Sequence, residues 1–259
     1  MWIDSHCHLD FMYSKEDLAV LSGRLKVQLI EKIIVPSVSP ENLDRVINLA
    51  SNHNWCDYAL GFHPLFLENV GDADLEILDN CIGQNKPLAI GEIGLDLFSN
   101  DQNFNLQETI FVAQLKLAKK HDLPVIMHVR GAIDQVLKNL RRYNVKGGVA
   151  HAFNGSTQQA TQFIDMGFKL GFGGAMTYAR ARHLQFLAKT LPLESILLET
   201  DAPDIAPEWL KKGEKNSPEQ LPKIGQFLAK IRGLKMSELA AIVKDNTYQA
   251  FPNLVKLYT

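Results

Sequence analysis

The sequence predicts an α/β fold, a (β/α)₈ TIM barrel built as a single domain over residues 1–259. Short runs of apolar or β-branched residues alternate with longer segments of helical periodicity, and this alternation repeats eight times along the chain. Several short runs are almost wholly apolar, such as Ile33–Val35 and Ile196–Leu198, as is typical of parallel strands covered on both faces. The alternative architecture is an open, doubly wound sheet.

Each predicted strand is one of these apolar runs. In order, the strands are Trp2–Ser5, Lys32–Ser37, Tyr58–Phe62, Leu88–Glu92, Pro124–His128, Gly148–His151, Phe168–Phe172 and Ser195–Asp201. The helices are predicted in the gaps, as Leu18–Ile30, Pro40–His53, Ala73–Ile82, Phe104–Lys120, Ala132–Tyr143, Thr157–Met166, Arg180–Thr190 and Pro218–Ile231, with an extra terminal helix over Met236–Lys244. The segment Asp204–Pro218, rich in Pro, Lys and Glu, is predicted to be a surface loop beside the last strand.

The segment Phe104–Lys120 shows the helical pattern clearly. Its apolar residues recur at helical spacing and are predicted to form one buried stripe, namely Leu106, Ile110, Ala113 and Leu117. Basic residues at 119–121 suit the negative end of the helix dipole. Pro124 blocks continuation, so the helix is expected to end just before the fifth strand.

Composition restricts the classes of function. The chain has 27 Lys and Arg against 29 Asp and Glu, a net charge of −2, whereas proteins that coat nucleic acid nonspecifically are usually basic. The 3 cysteines are irregularly spaced and predict no disulfide framework. The N-terminus does not resemble a signal peptide, and no apolar run approaches the roughly 20 residues of a membrane span. We therefore expect a cytoplasmic protein that does not associate with membranes.

Side chains able to bind metal fall at the ends of five predicted strands. They are His6, His8, Glu92, His128, His151 and Asp201. In a parallel barrel the carboxyl ends of the strands meet at one face, where active sites lie. Any one of these residues could be a buried, hydrogen-bonded group, and Glu92 alone could form an ion pair. Their convergence from distant stretches of chain instead predicts a metal centre.

The surrounding residues predict roles for substrate binding and proton transfer. Arg130 shares a strand face with His128, and its planar guanidinium suits phosphate oxygens, although an ion pair with Glu92 or Asp201 is the alternative. Asp201 could bind metal or accept a proton from activated water. The other candidate substrate contacts are His63, which could instead support the metal ligands, and Tyr178 and Arg180, which could instead face solvent.

These segments together resemble the TatD family of metal-dependent hydrolases, in particular its YjjV-like branch, among the amidohydrolase-like barrels. The matching segments are Ile-Asp-Ser-His-Cys-His-Leu-Asp (3–10), Gly-Phe-His-Pro (61–64), Gly-Glu-Ile-Gly-Leu-Asp (91–96), Pro-Val-Ile-Met-His-Val-Arg (124–130), His-Ala-Phe (151–153) and Leu-Glu-Thr-Asp-Ala-Pro (198–203). Asn246-Thr247 resembles the family's terminal element. One departure is Lys215-Asn216-Ser217-Pro218, where family members often carry Arg-Asn-Glu-Pro.

The resemblance implies one or two divalent cations, which could be Zn, Mn or Mg, and the hydrolysis of phosphoesters, above all as a deoxyribonuclease. It assigns His6, His8 and Asp201 to one cation and His128 and His151 to a second, with Glu92 between them. The expected substrate is a DNA end, a short oligonucleotide or a small phosphoester, cleaved by metal-activated water with Asp201 as the base. No obligate protein partner is evident.

Two other functions stay open from the sequence. One is an amidohydrolase or lactonase that cleaves a C–N or C–O bond of a small metabolite. Many such barrels carry a carboxylated lysine where this chain has Glu92, which favours the phosphoesterase. The other is a metal-binding protein without catalysis, and the presence of Asp201 and Arg130 disfavours it.

Overall fold

A computed structural model describes residues 1–12, 14–98 and 103–254. Its strands form one 8-stranded parallel sheet in sequential order. They are β1 (Trp2–Asp4), β2 (Ile30–Pro36), β3 (Cys56–Leu60), β4 (Ala89–Asp96), β5 (Val125–Arg130), β6 (Gly148–Ala150), β7 (Phe168–Phe172) and β8 (Ile196–Leu198). The predicted barrel fold is therefore confirmed, and the open sheet is not found.

Helices follow the strands and cover the outside of the sheet. They are α1 (Lys15–Val27), α2 (Leu43–Asn52), α3 (Asp72–Asn85), α4 (Phe104–Lys120), α5 (Ile133–Tyr143), α6 (Thr157–Asp165), α7 (Arg182–Thr190), α8 (Leu221–Arg232) and α9 (Met236–Ala250). The first begins with a capping box in which Ser14 and Asp17 each bond the other's backbone N–H. Among the described residues, no helix is long and apolar enough to cross a membrane. That the chain is one domain over 1–259 stays a prediction.

The barrel closes through residues that follow the first and last strands. The Ser5 N–H donates to the Leu198 carbonyl at 3.1 Å, and the Asp201 N–H donates to the His6 carbonyl at 2.9 Å. A third backbone bond, 2.8 Å long, joins the His8 N–H to the Ala202 carbonyl. These bonds bring the two chain segments richest in candidate ligands side by side.

A compact apolar layer fills the space inside the barrel beneath the site. Strands β1 to β6 and β8 contribute to it, through Ile3, Ile34, Ala59, Ala89, Ile126, Val149 and Leu197. Phe251, just after α9, packs against this layer. His128 and His151 each lie two residues beyond a member of the layer, and strand side chains alternate between faces. The same alternation that packs the interior therefore points both imidazoles inward above it.

Several predicted boundaries and one predicted face differ from the structure. The first helix was predicted to reach Ile30, which instead starts β2. On α4, of the predicted stripe only Ile110 is buried, and the buried face includes Gln107 and Gln114. The prediction assumed an apolar stripe, whereas these amides bond backbone groups of Asp96 and Phe62, at 2.7–3.0 Å. Amide pairing satisfies the buried polar atoms, so helix and barrel are joined by hydrogen bonds as well as apolar contact.

The loop between β8 and α8 is anchored at its base. Asn216 is fully buried, and its side-chain amide donates to the carbonyls of Thr200 at 2.7 Å and Asp204 at 2.9 Å. The loop start, with Asp204 and Ile205, reaches the cavity above the site. The asparagine retained from the family's element thus fixes where the chain turns away from Asp201.

Candidate metal centre

The six predicted ligands converge at the carboxyl end of the barrel, together with His63. Five of these six side chains are buried, and His128 is partly exposed. Three groups of His and acidic side chains there could each hold an ion. They are His6–Glu92–His151, His6–His8–Asp201 and His63–Glu92–His128.

The first donor cluster lies around Oε2 of Glu92. His6 Nε2 is 3.1 Å and His8 Nε2 is 3.3 Å from that oxygen. The two imidazole nitrogens are 3.2 Å apart. Asp201 Oδ1 lies 3.5 Å from His6 Nε2 and 3.7 Å from His8 Nε2. We call these four side chains cluster A.

The spacing in cluster A fits a cation better than it fits hydrogen bonds alone. Donors that surround Zn²⁺ tetrahedrally at about 2.0–2.2 Å lie about 3.3–3.6 Å from one another. Glu92 Oε2 is buried yet accepts no hydrogen bond of good geometry from the described residues. Its lone pairs and the imidazole nitrogens therefore face a common space, as ligands of one ion do.

The second donor cluster lies around the other oxygen of Glu92. Oε1 is 2.8 Å from His151 Nε2 and 3.1 Å from His128 Nδ1. Those two nitrogens are 3.3 Å apart. His63 Nε2 is 3.3 Å from the same oxygen. We call these four side chains cluster B; since Glu92 belongs to both clusters, one carboxylate presents an oxygen to each.

The strand that carries Glu92 is longer than predicted. The sequence places this residue at a strand end, but β4 runs on to Asp96, and β5 likewise runs past His128 to Arg130. The pairing register of β4 on β5 shifts between Ile90 and Ile93, where the Gly91–Glu92 peptide is cis. Glu92 thus sits at an irregularity within the strand.

A second carboxylate on β4 orients His128. Oδ2 of Asp96 lies 3.0 Å from His128 Nε2, and Oδ1 accepts the Phe98 N–H at 2.9 Å. With Nε2 paired to a carboxylate, Nδ1 is the nitrogen that faces cluster B. Such partners fix the tautomer and ring orientation of metal-binding histidines.

Glu199 supports the opposite side of cluster B. Its Oε1 accepts the Ala152 N–H at 2.5 Å and lies 3.8 Å from His151 Nδ1. A Cβ on Gly171 would come within 2.1 Å of Glu199 Oε2. Only glycine leaves room on β7 for this buried acid, which explains the residue type at that position.

Burial and mutual charge shift the pKa values of the donors. Burial opposes ionisation of Glu92, but the nearby imidazoles outweigh it and hold its pKa well below the usual range. Burial also disfavours a charged His151, yet Glu92 raises its pKa to about 10. Burial and the charge of His151 hold the pKa of His6 well below its usual value. Burial raises the pKa of Asp201 and brings that of Glu199 to about 8.

Of the four predicted substrate contacts, two line the cavity above the site and two do not. A cavity of about 790 Å³ opens over both clusters and is lined by His63 and Arg130. Tyr178 and Arg180, which follow the 3-10 turn Gly174–Thr177, are not among the residues that line it. The Arg180 guanidinium lies 5.6 Å from the Tyr178 ring centroid. The sequence predicted His63 as a substrate contact or as a group that supports the metal ligands. The structure places its Nε2 3.3 Å from Glu92 Oε1, among the donors of cluster B.

A (β/α)₈ barrel that gathers imidazoles and carboxylates at the carboxyl ends of its strands has the architecture of a metal-dependent hydrolase. The family model described as TatD related DNase matches residues 3–252. The chain belongs to the TatD family of metal-dependent hydrolases, as its motifs predicted.

Individual relatives agree with this assignment. The chain is 42% identical over 253 residues to the uncharacterized metal-dependent hydrolase YjjV of Escherichia coli, covering 96% of this chain and 97% of that protein. The crystal structure of that TatD homologue superposes with a TM-score of 0.93 at 41% identity, covering 97% and 98% of the two chains. An N-acetyl-D-glucosamine-6-phosphate deacetylase from Mycobacterium smegmatis, 11% identical, shares the fold alone, with a TM-score of 0.65 and coverage of 97% and 77%.

Proposed function

We propose that this hydrolase cleaves phosphoester bonds, as a deoxyribonuclease acting on DNA ends or short oligonucleotides. The observation that carries the proposal is the carboxylate of Glu92 between clusters A and B, each oxygen within 3.3 Å of imidazole nitrogens. Paired cation sites of this kind are common in phosphatases and nucleases. The matching family model is also described as a DNase family.

Both clusters suit divalent cations by their donor chemistry. Imidazole with carboxylate suits Zn and Mn, and Mg prefers oxygen-rich sites. When bound, such cations would polarise a phosphoryl oxygen and lower the pKa of water. Cluster A would supply His6, His8 and Asp201, cluster B would supply His63, His128 and His151, and Glu92 would serve both.

The side chains of this protein would then bind and orient the phosphoester and take a proton from the attacking water. Asp201 is buried at the cavity wall, and burial raises its pKa, which makes the carboxylate a better proton acceptor. We assign it the proton of the attacking water. Arg130 lines the same cavity and would hold the non-bridging phosphate oxygens as charge builds on them.

The overall charge narrows the substrate. A formal net charge of −2 does not favour tracking along a long duplex. The cavity of about 790 Å³ is large enough for a nucleotide-sized group. A strand end or a short oligonucleotide fits both facts.

An activity screen tests the proposal. The purified chain is stripped with a chelator, reloaded separately with Mg, Mn or Zn, and offered a DNA oligonucleotide, a lactone and an N-acyl amino acid. We expect cation-dependent cleavage of the oligonucleotide. Turnover of only the lactone or the amide would replace the proposal with an amidohydrolase or lactonase, and tight cation binding without any turnover would indicate a binding protein.

The role of Asp201 has its own test. Asp201→Asn should retain most of the bound cation, since the amide oxygen keeps a donor in place, while kcat falls by about 100-fold or more because the base is lost. Asp165→Asn, an exposed position on α6, is the control. Unchanged turnover in Asp201→Asn would remove this residue as the base.

A further inference from the structure

Three exposed phenylalanines lie beside the candidate metal centre. Phe11 lies just after His8 of cluster A in the sequence and is 49% exposed. Phe66 is 50% exposed, and Phe98 is 70% exposed. Phe11 and Phe66 both line the cavity. They come from the loops after β1, β3 and β4. We call these three residues the aromatic rim.

Two members of the rim touch the donors directly. The Phe11 ring centroid lies 6.0 Å from that of His8, at 51°. The Phe66 ring lies 5.7 Å from that of His63, edge to face. Aromatic surface therefore adjoins both clusters at the cavity wall.

The third member positions the cavity's arginine. The Arg130 guanidinium carbon lies 3.8 Å from the Phe98 ring centroid, close enough for a cation–π interaction. This contact leaves the exposed guanidinium of Arg130 at the cavity wall. One side of the cavity opening therefore combines the positive charge of Arg130, which is suited to phosphate, with aromatic surface.

Of the other phenylalanines, Phe186, on α7, is also exposed, but it does not line the cavity. Phe62, Phe111, Phe163, Phe168 and Phe251 are all fully buried. Exposed apolar surface gathered in one place usually marks a binding site. Phe11 and Phe66 border the cavity above both clusters, so a group that contacts them would be part of a substrate bound there.

We propose that Phe11 and Phe66 are specificity-determining residues that stack on a planar ring flanking the scissile phosphate, while Phe98 holds Arg130 for the phosphate itself. This inference rests on the proposed phosphoesterase function. It deepens that function by selecting phosphodiesters with an accessible flat ring, such as an unpaired base, over those that carry only sugar or alkyl groups. A base within a duplex is already stacked and cannot lie on these rings.

Matched dinucleotides test the proposal. The substrates are thymidylyl-thymidine and its analogue with both bases replaced by hydrogen, so that the bond cleaved is the same. Base–aromatic stacking predicts that kcat/KM for the thymine substrate exceeds that for the analogue by about tenfold or more. Phe11→Ala and Phe66→Ala should lose this preference, so that the ratio of kcat/KM for the two substrates falls toward one.

Two further variants distinguish stacking on the ring from apolar side-chain volume and from a general loss of structure. Phe66→Leu keeps apolar volume but removes the ring, so it should resemble Phe66→Ala. Phe186→Ala, at a 53% exposed position on α7 that does not line the cavity, should behave as the parent. Equal cleavage of both substrates by the parent, or a preference retained in Phe66→Leu, would refute the stacking role of the aromatic rim. The proposed phosphoesterase function would still stand.

A binding assay keeps the proposal testable without turnover. Calorimetric titration with thymidine 5′-monophosphate and with deoxyribose 5-phosphate, with and without cation, should show a base-dependent affinity that Phe11→Ala and Phe66→Ala lose. If no substrate is cleaved under any cation, the proposed function fails, and this assay still decides on the rim. Equal affinity for both ligands would contradict the stacking role.

Discussion

Replacing Glu92 by glutamine tests the electrostatics of the centre in the metal-free protein. Glu92→Gln keeps the shape of the side chain but removes the one carboxylate shared by clusters A and B. Without cation, that charge is what raises the pKa of His151 to about 10, against the opposing effect of burial. In the variant the pKa of His151 should fall, because burial disfavours the charged imidazole and only the smaller effects of Asp201 and Glu199 still favour it.

The size of the effect follows from proton linkage. A histidine whose folded pKa is raised stabilises the fold fully below its unfolded pKa of 6.5, and the stability is lost as pH rises toward 10. At pH 7 the proton is held about 3 units below that folded pKa. Since each unit is worth about 1.4 kcal/mol, the parent's free energy of unfolding should fall by about 3 kcal/mol between pH 7 and pH 9, whereas that of the variant should not.

Urea denaturation in the presence of a chelator measures this difference. At pH 7, 8 and 9 the gap between parent and Glu92→Gln should shrink by about 1.4 kcal/mol per unit. Glu76→Gln, an exposed position on α3, should match the parent at every pH. A difference between parent and Glu92→Gln that does not change with pH would refute the assigned coupling between Glu92 and His151.

Two further substitutions test the support around the centre. Asp96→Asn should weaken cation affinity by about 10- to 100-fold in equilibrium dialysis, because the partner of His128 Nε2 is lost; unaltered affinity would show that this contact does not orient the ring. Gly171→Ala should lower the free energy of unfolding by about 1–3 kcal/mol, since the new methyl meets a buried carboxylate oxygen. Gly23→Ala on α1, where nothing lies within 4 Å, should be neutral or stabilising by up to about 1 kcal/mol in the same assay, and equal losses in both variants would contradict the steric argument.

The barrel could be predicted from sequence because its signal is local and repeated. Each of the eight predicted strands overlaps an observed one, since buried parallel strands are apolar runs bounded by helices. Their ends were harder to predict. β4 continues beyond Glu92 to Asp96, because its pairing with β5 resumes after a register shift. The local residue pattern does not predict this shift.

The candidate centre was predicted as a set of residues, and the structure adds their mutual geometry. Parallel topology alone implies that strand ends meet, so the convergence of His6, His151 and Asp201 follows from spacing in the sequence. Which nitrogen of His128 faces Glu92 depends on Asp96, a contact that spacing does not specify.

Side chains whose roles depend on tertiary contacts were missed or misjudged. Gln114 lies on a helix face that periodicity describes as apolar, yet its amide pairs with the backbone of Phe62. Phe11 and Phe66 are ordinary apolar residues in sequence, and only the fold shows them exposed at the cavity. A local sequence pattern predicts only the average burial of a position, whereas the environment of each of these side chains depends on particular tertiary contacts.

The central claim is that Glu92 joins two cation sites, and anomalous diffraction from crystals grown with Zn²⁺ or Mn²⁺ tests it most directly. We predict two peaks about 3.5–4 Å apart, one beside the Oε2 atom of Glu92 among the donors of cluster A and one beside Oε1 among those of cluster B. Absence of any peak at Glu92, with its oxygens hydrogen-bonded to protonated imidazoles in the presence of saturating metal, would contradict the account.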